Sequence, residues 1–154
     1  MEKFIEYVQE AEKKVRAIDH LIYVTFPVVK DKRLLLKVLL EAKIALTNCI
    51  NSILQYEYIN KRIELNRNSE KNFRTFVDKC APRYKITNEE IKKLLELLEI
   101  IKMHKQSAVE FMKGEKIIIL SENMKREIIT LEKVKEFLEL SKEILKKTKG
   151  IYLR

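Results

Sequence analysis

The chain has 154 residues, of which 46% are apolar and 36% are charged, and its formal net charge is +9. This composition excludes a disordered or collagen-like chain, and the length favours a single domain over residues 1–154 with one continuous core. No apolar run approaches the roughly 20 residues that cross a bilayer, so we expect a cytoplasmic protein that does not contact a membrane.

The first two helices are predicted from apolar residues that recur at steps of three and four. One face of the first helix contains Phe4, Val8, Ala11, Val15, Ile18 and Ile22. We expect Pro27 to end this helix, and Asp31 to cap a long central helix that runs to about Arg62. The first turns of the central helix, LLLKVLL, are apolar nearly all round. Neighbouring helices must therefore cover them, or they form an oligomer contact.

Three further helices and a hairpin complete the predicted fold. A short third helix follows a polar connection and stops at Pro82, and Thr87 with Glu90 forms a capping box that opens the fourth helix. Two β-branched runs, KIIIL and REIIT, flank residues 122–124 (Glu122, Asn123 and Met124) and predict a two-stranded hairpin. The last helix starts near Leu131, and we expect Gly150 to end it. The predicted fold is thus mainly α, a bundle of about five helices with a short β-hairpin before the last helix.

Polar and thiol side chains within the helices suggest structural roles. Asn48, Asn51, Ser52 and Gln55 interrupt the apolar central helix, so we expect them to hydrogen-bond between helices. The neighbouring Glu57 lies near the helix end, at the rim of the predicted bundle. Cys49 and Cys80 lack the close spacing of a metal or redox pair, and we expect buried thiols with no disulfide, metal or cofactor.

Basic residues are densest in the segment 63–86, which contains six basic and three acidic residues. Such a segment could follow a phosphate backbone, with an aromatic ring stacking on an unpaired base. The candidate nucleic-acid-binding residues are Arg67, Lys71, Arg74, Arg83, Tyr84 and Lys85, and Lys79 continues the basic trend. The alternative is an ordinary solvated helix face. Convergence of Arg16, Arg67, Lys71, Arg74 and Arg83 on one concave surface would favour binding, and scatter of these residues would count against it.

A second hypothesis comes from a family resemblance. The helical pattern, with a long amphipathic helix KVLLEAKIALTNCINSILQYEY, resembles that of the HEPN superfamily of nucleic-acid-associated helical bundles. Many HEPN proteins are ribonucleases that use an Arg and a His a few residues apart, which implies Arg16 and His20 as catalytic residues here. In this chain the pair has three residues between its members and lies in the first helix, closer together and earlier than is usual in the family.

Three functions therefore follow from the sequence. The leading hypothesis is a non-catalytic basic protein that binds RNA or an RNA–protein assembly through residues 67–85. The alternatives are a HEPN-like ribonuclease that uses Arg16 and His20, and a structural module. The structural module would bind a protein partner or form a homodimer through the LLLKVLL turns or the hairpin edge.

Overall fold

Helices make up most of the computed structural model, which describes residues 2–107, 109–114, 116–121 and 125–152. The helices are α1 (Lys3–His20), α2 (Phe26–Val29), α3 (Lys32–Ile59), α4 (Ser69–Thr75), α5 (Asn88–Gln106) and α6 (Leu131–Tyr152). The strands are β1 (Val109–Lys113), β2 (Lys116–Leu120) and β3 (Arg126–Ile129). A π-helical segment, Leu21–Thr25, joins α1 to α2, and a second one, Phe76–Cys80, extends α4. The predicted bundle of about five helices with β-structure before the last one is confirmed.

The central helix α3 packs mainly against α1 and α6. Its first turns are covered within the chain, since Leu35, Leu36, Val38 and Leu39 are all buried. The fold of one chain therefore removes these turns from water, and their burial does not require a homodimer. The predicted apolar stripe of α1 also lies in the core, where Ala11 and Ile18 are completely buried.

Two helix starts form as the sequence predicts. The carboxylate of Asp31 accepts a hydrogen bond of 2.9 Å from the backbone N–H of Arg33 at the start of α3. At the start of α5, the Glu90 N–H donates to the Thr87 hydroxyl at 3.1 Å, and the Thr87 N–H donates to the Glu90 carboxylate at 2.9 Å. Each bond satisfies a backbone N–H that has no partner within its helix.

Two predicted helix ends are wrong by a few residues. The first helical stretch continues through Pro27 to Val29, because the proline lies in the first turn of α2, where its missing N–H costs no hydrogen bond. This stretch ends instead at Lys30, which has a left-handed backbone with φ of 52°. Helix α6 continues past Gly150 to Tyr152, whose hydroxyl hydrogen-bonds to that of Ser52 at 2.7 Å and holds the last turn against α3.

The predicted hairpin is part of a three-stranded antiparallel sheet in the order β1-β2-β3. The hairpin itself is confirmed, because Ile117 pairs with Ile129 and Leu120 pairs with Arg126. The expected connection, residues 122–124, lies outside the described residues. Strand β1 was not predicted. Its pairing with β2 leaves two residues between Lys113 and Lys116, the first of which is Gly114 with φ of 65°.

The described helices also differ from membrane-spanning helices in length or in polarity. Each one is too short or too polar to traverse a lipid bilayer.

Candidate nucleic-acid interface

A polar groove lies between α4 and the connection that follows α3. The chain turns sharply after α3 at Lys61, which has φ of 60°, and Ile63 is buried and anchors the connection to the core. Two hydrogen bonds fix the connection to α4: the Asn66 N–H donates to the Asn72 side-chain oxygen at 2.8 Å, and the Asn72 amide donates to the Asn66 carbonyl at 2.7 Å. Both walls of the groove are therefore held in a fixed relation.

The groove has a volume of about 500 Å³ and an excess of positive charge. Its charged lining residues are Lys61, Arg62, Lys71, Lys79 and Glu64, that is, four cations and one acid. The three lysines are exposed, and none of them forms an ion pair within the part of the chain that the structure describes. Their charges are consequently available to an anion. We call this feature the basic groove.

Arg62 has a structural partner on the inner side of the groove. Its Nε lies 2.5 Å from the Oε2 atom of Glu57, and the Nε of Arg83 lies 2.9 Å from the Oε1 atom of the same residue. The Glu57 side chain is only 2% exposed, whereas those of Arg62 and Arg83 are 35% and 47% exposed. A buried carboxylate needs such partners, because an unpaired charge in the interior costs about 3 to 5 kcal/mol. We call this arrangement the Glu57 ion-pair cluster.

The Glu57 ion-pair cluster changes the interpretation of Arg83. The sequence predicts Arg83 as a nucleic-acid-binding residue, but its guanidinium joins the turn after Pro82 to α3 through Glu57. A substitution at Arg83 would therefore perturb the fold as well as any ligand. The sequence does contain a signal for the cluster: Glu57 continues the buried series Leu46, Cys49, Ile53 by a helical step, so periodicity places a charge in the core.

Tyr84 does not occupy the position that the sequence suggests. Its side chain is 2% exposed, so no face of the ring is open for a base to stack upon. Burial raises the pKa of its phenol, and the phenol oxygen has no hydrogen-bond partner among the described residues. Tyr84 is a core residue of the turn after Pro82, and the stacking role predicted for it is wrong.

The other predicted binding residues are exposed but do not share one concave surface. Lys71 lines the basic groove, whereas Arg83 and Lys85 line a separate hollow with Lys146 and Lys147 of α6. Arg67 and Arg74 are exposed and line neither hollow. The predicted ridge is therefore divided, and the convergence of these residues that would favour binding does not occur. Sequence reasoning overlooked Lys61, because the predicted central helix included the basic pair Lys61 and Arg62 in its last turn, whereas α3 ends at Ile59.

Arg16 and His20 lie exposed on α1, and no hydrogen bond joins them within the described residues. The adjacent Asp19 pairs with Lys142 of α6 at 2.6 Å, which ties this edge of α1 to the bundle. The second histidine, His104, has a carboxylate partner, because its Nδ1 lies 2.6 Å from Glu110 of β1. Arg16 is not part of the basic groove, so it does not converge with Lys71.

The thiols are buried, as the sequence predicts. Burial raises the pKa of Cys49 to about 12 and that of Cys80 to about 11. Both thiols are free. Among the described residues, no group of three or more His, Cys, Asp and Glu side chains is arranged to hold a metal ion.

Comparison with known proteins adds no relative to this picture. No protein-family model matches the chain, and no curated protein or solved structure matches it. The class of this protein therefore rests on its structure, which is a helical bundle with a small antiparallel sheet and a cationic surface groove. The resemblance to HEPN proteins rests on helical pattern.

Proposed function

We propose that this protein binds RNA without cleaving it, and that the basic groove is its main contact with the phosphate backbone. The supporting observation is the placement of Lys61, Lys71 and Lys79 along one polar groove, exposed and without ion-pair partners in the described residues. Lysines in such a position attract a polyanion and release its condensed counterions on binding. The net charge of +9 acts in the same direction over longer range.

The chemistry of the groove favours backbone contacts over base recognition. The two asparagines that line it already use their side chains to hold the walls together, since Asn66 accepts from the Asn68 N–H and Asn72 bonds twice to Asn66. The groove therefore offers mainly lysine ammonium groups, which bind phosphate as point charges. Such contacts position a nucleic acid but carry little sequence information, so we expect weak sequence preference in this groove.

Residues beside the groove extend its field. Arg74 lies one helical turn from Lys71 on α4, and Arg67 precedes this helix. Neither forms an ion pair in the described part of the chain. These arginines would therefore add phosphate contacts at the rim, where exposed charges act mainly on the rate of association.

A salt titration with matched variants tests this proposal. The variant Lys71→Glu plus Lys79→Glu places two carboxylates in the groove, and Lys13→Glu plus Lys37→Glu changes the net charge equally at exposed sites on α1 and α3. Affinity for a labelled single-stranded RNA of mixed sequence is measured by fluorescence anisotropy at several salt concentrations. The slope of log K against log salt is negative, and loss of two phosphate contacts should make it less steep by about 1.4 in the groove variant.

The control variant should keep the wild-type slope to within about half a unit. Equal losses in the two variants, or an affinity that is independent of salt, would reject the groove as the contact. The recovered RNA is examined for cleavage in the same samples. Cleavage by the wild type that is lost in His20→Ala would replace this proposal with the HEPN-like ribonuclease.

A further inference from the structure

The three-stranded sheet has one face toward the helices and one away from them. Residues of the inner face contact the bundle: Ile117, Ile119 and Ile129 are completely buried in the core, and Glu110 contacts His104 of α5. Because side chains alternate along a strand, the intervening residues lie on the other face. The strand pairing arranges them in rows: Val109, Leu120 and Arg126; then Phe111, Ile118 and Ile128; then Lys113 and Lys116. We call this surface the outer sheet face.

The centre of the outer sheet face is apolar although it lies away from the core. Ile118 is only 8% exposed, although it does not belong to the core cluster of the bundle. Phe111 beside it is 41% exposed, and Val109 is 51% exposed. Antiparallel sheets that cover a core on one side usually present polar residues on the other. Phe111 and Val109 thus expose apolar surface on a face where polar residues are usual.

The described charges on the outer sheet face all have the same sign. Lys113, Lys116 and Arg126 are exposed there. The acids of the described strands are on the inner face and are occupied, since Glu110 pairs with His104 at 2.6 Å and Glu127 with Lys133 at 3.4 Å. Glu115 and Glu122 of the connections lie outside the described residues. The partner of this face should therefore combine negative charge with flat apolar groups.

The small size of this face argues against a second copy of the chain as the partner. Three strands about 4.8 Å apart and five residues of about 3.4 Å each give a face of about 14 by 17 Å, or about 240 Å². A stable protein interface buries about 800 Å² on each partner. A few unpaired nucleotides, in contrast, combine planar bases with phosphates and need only such an area.

We propose that the outer sheet face binds a single-stranded segment of RNA, with one base stacked on Phe111 and phosphates on Lys113, Lys116 and Arg126. This inference rests on the proposed RNA binding, but it uses a different surface. Lys32, the first residue of α3, reaches the Glu110 carbonyl at 3.4 Å, whereas the basic groove starts after the last residue of this 28-residue helix. At 1.5 Å per residue α3 is about 42 Å long, so the two surfaces lie near opposite ends of this helix.

Substitutions at Phe111 test the stacked base. Phe111→Leu keeps an apolar side chain but removes the aromatic face, and Phe111→Tyr retains it. Affinities are measured by anisotropy for a single-stranded RNA and for a blunt RNA duplex of the same sequence. We expect Phe111→Leu to weaken single-strand binding about fivefold or more, the lower end of what one stacked base contributes. Phe111→Tyr should bind like the wild type, and duplex binding should be unchanged in both variants.

Single-strand affinity that is unchanged in Phe111→Leu would overturn the sheet proposal, while the effect of Lys71→Glu plus Lys79→Glu would still support the groove. Absence of RNA binding in the wild type would reject both. Sedimentation of the wild type and of Phe111→Leu tests the other possible partner of this face, a second copy of the chain. A wild-type dimer that dissociates in Phe111→Leu would assign the face to a second copy of the chain and contradict the stacked base.

Discussion

The Glu57 ion-pair cluster should respond very differently to the loss of its anion and to the loss of its cations. The Glu57 side chain is 2% exposed, whereas its partners Arg62 and Arg83 are more than a third exposed. Replacement of both arginines by Met leaves a carboxylate buried without a partner. Replacement of Glu57 by Gln leaves two guanidinium groups that already reach water.

The expected free energies follow from this asymmetry. An unpaired buried charge costs about 3 to 5 kcal/mol of unfolding free energy, so we expect a loss of this size in Arg62→Met plus Arg83→Met. Each pair with a half-exposed arginine contributes only about 0 to 1 kcal/mol, so Glu57→Gln should cost about 1 to 2 kcal/mol, including its buried amide. Addition of Glu57→Gln to the double arginine variant should therefore restore about 2 kcal/mol.

Urea unfolding followed by circular dichroism at neutral pH measures these differences, provided that the dependence on urea is equal among the variants. Arg67→Met plus Arg74→Met is the matched control, because these exposed arginines have no carboxylate partner in the described residues; it should remain within about 0.5 kcal/mol of the wild type. A cost of Glu57→Gln equal to that of the double arginine variant, or a triple variant no more stable than the double, would contradict this asymmetry.

Three further predictions concern the thiols and the start of α5. With pKa values of about 12 and about 11 and no exposed surface, Cys49 and Cys80 should not react with a disulfide reagent near neutral pH until urea unfolds the chain; rapid native labelling would contradict their burial. Thr87→Ala should lower the unfolding free energy by about 1 kcal/mol through loss of the cap, whereas a neutral effect would show that the capping box contributes nothing. Burial would raise the pKa of Glu90, but hydrogen bonds from Lys147 and the Thr87 backbone outweigh it, and the pKa is lowered from 4.5. The stabilisation that comes from this lowered pKa is fully present above pH 4.5 and is lost as the pH falls through the pKa of the folded state. The unfolding free energy of Glu90→Gln should therefore decrease less on acidification than that of the wild type.

The helices were predictable because their apolar residues recur at helical steps over long stretches, and because Asp31 and Thr87 mark two of the starts. Strand β1 was not predictable from the sequence, because its residues VEFMK include few that are β-branched. Its strand geometry depends on pairing with β2, which the local sequence does not reveal. The one local signal was Gly114, which lies between the two strands.

The candidate site was only partly predictable. Residues 67–85 indicated a basic surface, and Lys71 does line the basic groove, but the second wall comes from Lys61 beyond the end of α3. The tertiary fold brings these walls together, so spacing along the chain cannot reveal them. The same is true of Tyr84, an aromatic residue in a basic segment that the turn after Pro82 directs into the core.

The most direct test of RNA binding by the basic groove is an NMR titration of the ¹⁵N-labelled protein with a short single-stranded RNA. We expect the backbone amides of residues 60–66 and 71–79 to change their chemical shifts together as RNA is added, and these changes to decrease when salt is raised. Binding of RNA that leaves the amides of both groove walls unchanged would contradict this expectation.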